Sequence, residues 1–216
     1  MHTSPEPVLP RFVVFEGVDG SGKTTMAGAL AKYYKDFAPD TPLYVDNFPG
    51  SIPGTLGEWV YRLHHNRLTD NLSPENIAPP ALQLLHVAAH IDTILERVAP
   101  TFEQHGNVIL DRYWWSTYAY SRYHMPSDEA WNLVYVERTY WAKLLQPIVI
   151  YLTRSISLKS DEMTPLRHTE IDGYYHELLG IEREAGICVY EINNDGSLEN
   201  LWASVLTTLH LPYQKM

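Results

Sequence analysis

Short apolar runs alternate along the chain with longer segments whose apolar residues recur at helical spacing. Phe12 to Phe15 reads as a compact strand, followed by a glycine-rich loop and a helix over Met26 to Tyr34. Leu43 to Val45 is a second strand, ending at Asn47-Phe48-Pro49-Gly50, and Thr55 to His65 is helical. Pro79 to Val98 is a long helix opened by two prolines, whose missing N–H groups do no harm in a first turn. Val108 to Leu110 is a third strand running into Asp111, with helices near Trp115 to Tyr123 and Ser127 to Leu145. Pro147 to Leu152, Glu170 to Ala185, Ile187 to Ile192 and Leu198 to Leu209 complete the chain as strand, helix, strand and helix. Such alternation predicts right-handed βαβ units and a five-stranded parallel sheet covered by helices on both faces, an α/β three-layer fold.

Arg154 to Thr169 breaks the alternation. It is polar, contains Pro165 and lies between the fourth strand and the next helix, where a long irregular segment is usually functional. The expectation is a lid over residues 154–169. No repeat or linker divides the chain, so residues 11–216 are expected to form one domain after a proline-rich, flexible lead-in at 1–10.

Of the 216 residues, 45% are hydrophobic and 19% charged, a globular balance, and the formal net charge is -10. That acidity argues against nucleic acid as a partner, since duplex binding needs a basic face. The single cysteine, Cys188, cannot form an internal disulfide and is expected to be buried in its strand. With no apolar run long enough to span a bilayer and no signal-peptide pattern at the start, the expected location is the reducing cytoplasm, away from membranes.

The glycine-rich loop carries the chemistry. Gly17-Val18-Asp19-Gly20-Ser21-Gly22-Lys23-Thr24 fits the phosphate-binding pattern G-x-x-x-x-G-K-[ST], placed after a strand and at the start of a helix. Glycines allow successive backbone N–H groups to point at phosphate oxygens, and the helix N-terminus adds partial positive charge. Gly17, Asp19, Gly20, Ser21, Gly22, Lys23, Thr24 and Thr25 are therefore the nucleotide-binding candidates, with Lys23 reaching the outer phosphates of ATP and Thr24 binding Mg²⁺. No Asn-Lys-x-Asp guanine-reading motif is present, which disfavours a GTP switch.

Phe15-Glu16-Gly17 through Lys23-Thr24-Thr25 resembles the phosphate loop of the thymidylate kinase family. Asp111-Arg112-Tyr113 with Ser116 and Ala119-Tyr120 resembles that family's second signature, and Phe48-Pro49 through Gly54-Thr55 to Gly57-Glu58 a third. The resemblance implies a P-loop NTPase fold and ATP-dependent phosphorylation of a nucleoside 5'-monophosphate, with homodimerisation. It implies Mg²⁺ at Thr24 and Asp111, and catalytic roles for Lys23, Asp111 and Arg112. Arg112 suits the acceptor phosphate, as a planar, permanently charged fork does, and Asp19 the acceptor sugar or Arg112 itself. Where family members place an arginine in the phosphate loop this chain has Gly20, so the catalytic cation is expected from the lid: Arg167 first, then Lys159 or Arg154. Asn193 and Asn194 fall where the family's adenine-side loop lies, so the resemblance implies Asn194 as a nucleotide contact, with a plain Asn-Asp-Gly turn as the alternative.

The acceptor pocket departs from the family pattern. Asn47 stands where an arginine is usual, and His86 and His90 replace an aromatic and a base-reading arginine. With Phe48, Ser116 and Tyr120 these histidines are the acceptor-base candidates, while Trp59 and Trp131 are expected in the core. Trp114-Trp115-Ser116-Thr117 also resembles the mitochondrial UMP/CMP kinase branch. The acceptor is therefore expected to be dTMP or another pyrimidine (deoxy)nucleotide. UMP/CMP-type activity, or action on a modified pyrimidine nucleotide or base in DNA, is the alternative.

Overall fold

The computed structural model describes residues 8–64, 74–155 and 164–216. Five strands, β1 (Phe12–Glu16), β2 (Leu43–Asn47), β3 (Asn107–Asp111), β4 (Ile148–Thr153) and β5 (Cys188–Asn193), form one parallel sheet in the order β2-β3-β1-β4-β5. Among the described residues eight α-helices accompany them: α1 (Lys23–Phe37), α2 (Leu56–His64), α3 (Pro79–Thr93), α4 (Ala99–Glu103), α5 (Trp114–Arg122), α6 (Ser127–Trp141), α7 (Pro165–Glu184) and α8 (Leu198–Thr208). The order reverses around β1, which places the crevice for a ligand at the carboxyl ends of β1 and β3. The long helix expected from Pro79 runs on through a widened turn at Ile94–Val98 into α4.

Side-chain alternation assigns the two faces. Phe12 and Val14 of β1, Val108 and Leu110 of β3 and Val149 and Tyr151 of β4 pack with Trp115, Tyr118, Val134 and Tyr175. Val13, Phe15, Ile109, Ile150 and Leu152 face the other way, against Met26, Leu30, Tyr34 of α1 and Trp202, Val205 of α8. The same parity decides where the polar residues at the strand ends point. Glu16 continues the Phe12–Val14 face toward α5, whereas Asp111 continues the Ile109 face toward α1.

Three expectations are corrected. Cys188 is exposed, because β5 is an edge strand on which Ile192 alone is buried. Trp59 is 38% exposed on α2 rather than in the core, whereas Trp131 packs against it as expected. Helix α7 begins at Pro165, five residues earlier than the pattern suggested, because the Thr164 hydroxyl accepts from the Arg167 N–H and caps its start. The last part of the expected lid is thus the first turn of α7; residues 156–163, Lys159 among them, lie outside the described residues.

Candidate active site

The phosphate loop leaves β1 and enters α1 with Gly17, Gly20 and Gly22 at positive φ. At Gly22, φ is 104° and an added Cβ would lie 2.7 Å from Asn194 Nδ2, so both conformation and space demand glycine. No side chain caps the first turn of α1 and no acidic residue sits in it, so its N–H groups suit an anion. Lys23 Nζ donates to the Val18 carbonyl at 2.8 Å. Burial first, and then Arg112, lower the Lys23 pKa to about 8.

Asp111 meets the loop from β3. The Thr24 hydroxyl and, at 2.8 Å, Asn47 Nδ2 both donate to Asp111 Oδ2, while Oδ1 is buried with no hydrogen-bond partner among the described residues. Two hard oxygen donors, one with an open lone pair in a buried position, fit a divalent ion such as Mg²⁺. Arg112 adopts a left-handed φ of 81°, which turns its side chain back across the sheet edge. There its guanidinium pairs with Asp19 Oδ1, donates to Ser116 Oγ at 3.0 Å and lies 5.5 Å from the Tyr120 ring centre. Tyr120 donates to the other Asp19 oxygen at 2.7 Å. Residues 87 and 93 positions apart are thereby joined at one end of the sheet.

The acceptor-side candidates have unexpected neighbours. Ser116 is buried; its hydroxyl bonds Glu16 and Tyr175, both at 2.7 Å, as well as Arg112, which occupies it fully. Phe48 is buried against His90 and Trp141, with ring centres 4.7 and 5.7 Å away. His90 Nδ1 lies 2.8 Å from Glu137, which also accepts from Trp141 Nε1 at 2.9 Å. His86 contacts a residue the sequence did not single out, His64, at 2.7 Å between ring nitrogens. Burial, His64, His90 and Arg112 push the His86 pKa well below its ordinary value and keep the ring neutral. Asn194 is buried beneath the loop, donating to the Ser21 carbonyl at 2.7 Å, which makes it a brace for the loop. Arg154 donates to the Asn194 carbonyl and Ser155 to Asp195, so the segment after β4 is pinned to the 193–195 turn.

Glu16 was not singled out by the sequence either, although a lone carboxylate extending a buried strand was a signal. Its Oε1 accepts from the Tyr113 and Ser116 N–H groups, at 2.7 and 3.1 Å, and so caps α5. Burial raises its pKa from 4.5 to about 7 despite hydrogen bonding from Ser116 and attraction from Arg112 and Lys23. Between those two values the native state holds a proton that the unfolded chain releases, so stability falls as pH rises. At about 1.4 kcal/mol per pKa unit, the loss is on the order of 3 kcal/mol. Denaturant unfolding at pH 5 and 7.5 should show this loss in the wild type and a much smaller one in Glu16→Gln.

Comparison with known proteins decides the family. The thymidylate kinase family model matches residues 15–159, about two thirds of the chain. The chain belongs to the thymidylate kinase family. Thymidylate kinases from Roseiflexus castenholzii and from Wolbachia pipientis are 38% and 32% identical to it over 119 and 117 residues. These stretches cover 55% and 54% of this chain and 48% and 52% of those proteins, so it spans about half the length of the curated relatives it matches. The crystal structure of thymidylate kinase from Ehrlichia chaffeensis superimposes with a TM-score of 0.70 at 20% identity, over 92% of this chain and 97% of that one. The fold is shared over 92% of this chain, more than the residues 15–159 that the family model matches. Among the described residues no helix is long and apolar enough to cross a membrane.

Proposed function

We propose that this chain is a thymidylate kinase that transfers the γ-phosphoryl group of ATP to dTMP. The supporting observation is the convergence of Thr24 with Asp111 and of Asp19 with Arg112 at the carboxyl end of the central strands. In this reading the phosphate loop amides and Lys23 hold the β- and γ-phosphates, and a triphosphate offers Lys23 a stronger acceptor than the Val18 carbonyl. Asp111 and Thr24 would hold Mg²⁺, which supplies charge neutralisation on the phosphates. Arg112 grips the acceptor phosphate and the transferred group, Asp19 aligns Arg112 or the acceptor sugar, and Arg167 adds charge from α7. The acceptor oxygen is already ionised, so positioning and electrostatics suffice without a general base. We assign one domain to residues 11–216 and, from the family resemblance, a homodimer in the reducing cytoplasm.

Base recognition falls to His86 and His90, since Asn47 is spent on Asp111. With its Nδ1–H given to Glu137, the His90 ring would present an acceptor nitrogen, which suits the N3–H of a keto pyrimidine. The test is ADP release across dTMP, dUMP, UMP, dCMP and CMP. The expected result is a kcat/KM for dTMP at least about tenfold above the others. Best turnover with UMP or CMP would assign the chain to the related UMP/CMP activity instead. No turnover with any acceptor, alongside tight ATP binding, would overturn the kinase reading.

A further inference from the structure

The Tyr175 hydroxyl has no part in the chemistry above, yet it is fully buried in α7. Phenylalanine would fill the same space beside Tyr151, whose ring centre is 5.2 Å away. Burying a phenol O–H is costly unless it is partnered, and here its partners lie in the candidate site. It is 2.7 Å from Ser116 Oγ and 3.2 Å from Glu16 Oε2.

The protons around Ser116 can be counted. Its single hydrogen goes to Glu16 Oε2 at 2.7 Å, the oxygen to which the Tyr175 O–H also donates at 3.2 Å, and its lone pairs remain for Arg112 Nη1–H at 3.0 Å and for the Tyr175 hydroxyl beside it. Glu16 holds Ser116 twice, through its hydroxyl and its N–H, and holds the start of the same helix through the Tyr113 N–H. Asp19 fixes one guanidinium nitrogen of Arg112, and the Tyr120 ring packs 5.5 Å away without fixing the other nitrogen by a directional bond. A second anchor at Ser116 fixes its plane.

We propose that Glu16, Ser116 and Tyr175 form a relay that positions Arg112 and couples it to helix α7. It rests on the reading of Arg112 as the acceptor-phosphate ligand. Helix α7 carries Arg167 in its first turn and Tyr175 about two turns later. A shift of α7 that repositions Arg167 is then felt at Arg112, so the two cations are set together. Tyr175 and Glu16 are positioning residues; neither touches the reacting atoms.

Tyr175→Phe tests the relay, because it keeps the ring and removes only the hydroxyl. The KM for the monophosphate is expected to rise about tenfold with the KM for ATP within about twofold. In an Arg112→Ala background Tyr175→Phe is expected to change neither constant. The isotope-labelled Arg112 guanidinium, assigned by its loss in Arg112→Ala, is expected to be rigid in the wild type and mobile in Tyr175→Phe. An unchanged Arg112 signal, or an equal loss of activity in both backgrounds, overturns the relay. Absence of turnover by the wild type would overturn the kinase reading, and Arg112 mobility would still decide the relay.

Discussion

Replacing Arg112 with alanine is expected to lower kcat about a thousandfold while the KM for ATP changes less than about threefold. The size follows from what this one side chain does in the proposed reaction. Its fork spans the acceptor phosphate and the transferred phosphoryl group, whose charge is greatest at the transition state, in a crevice where charge is poorly screened. Among the described residues of the phosphate loop nothing can substitute. Lys23 reaches the outer phosphates of the donor, and Gly20 supplies no cation. Arg112→Lys should recover little, because a point charge cannot keep Asp19 and Ser116 while meeting two phosphate groups. A single-turnover assay at saturating acceptor separates the chemical step from binding; an Arg112→Ala rate within tenfold of wild type would move the role elsewhere. ATP affinity should hold, since the hydrogen-bonded contact of Arg112 with the phosphate loop among the described residues is its pair with Asp19, whose loss leaves the loop amides and Lys23 in place.

The sheet was legible from short apolar runs because each strand that fills the core is uninterrupted and flanked by loops. That Lys23, Thr24, Asp111 and Arg112 stand at one end of the sheet was legible because their motifs are local, and Arg112 was one of the two partners expected for Asp19; the direct contact of Thr24 with Asp111 shows only in the structure. The residues that set those groups in place were not. Glu16 meets Ser116 from 100 positions away and Tyr175 from 159, and a tyrosine at helical spacing looks like core in any sequence. Asn194 looked like a ligand contact because it follows a strand, but its side chain turns inward to the Ser21 carbonyl. Cys188 and Trp59 were misjudged for one reason. Apolar runs report membership of an element, and only the covering layer decides which of its members are buried.

Parity explains why the end of one sheet can serve two purposes. Glu16 and Asp111 are both carboxylates at strand ends, yet they point to opposite faces and meet different chemistry. Asp111 joins a hydroxyl and an amide beside the phosphate loop, with an oxygen left to accept. Glu16 lies under a helix start, where burial lifts its pKa and hydrogen bonds hold it in place. The first is arranged to meet a ligand, the second to hold the protein. The cost in stability at neutral pH is accepted at Glu16, next to the residue whose orientation matters most.

Arg167→Ala is expected to lower kcat about a hundredfold or more with ATP binding little changed. Because the loop position at Gly20 offers no arginine, transition-state charge must be met from α7 or from the segment before it. Arg167 stands in the first turn of α7, its guanidinium 5.2 Å from the Tyr123 ring centre at the end of α5. Among the described residues its Nε is buried without a hydrogen-bond partner, at a place where an unpaired donor is costly to keep. Arg154 is committed differently: its Nη1 donates to the Asn194 carbonyl, on the far side of the phosphate loop. Arg154→Ala should therefore raise the KM for ATP more than it lowers kcat, the reverse of Arg167→Ala. Steady-state kinetics on both variants and on Lys159→Ala separates the three. A kcat that survives Arg167→Ala but falls with Lys159→Ala would give the transition-state role to Lys159, and Arg167 would then serve α7 alone by stacking on Tyr123.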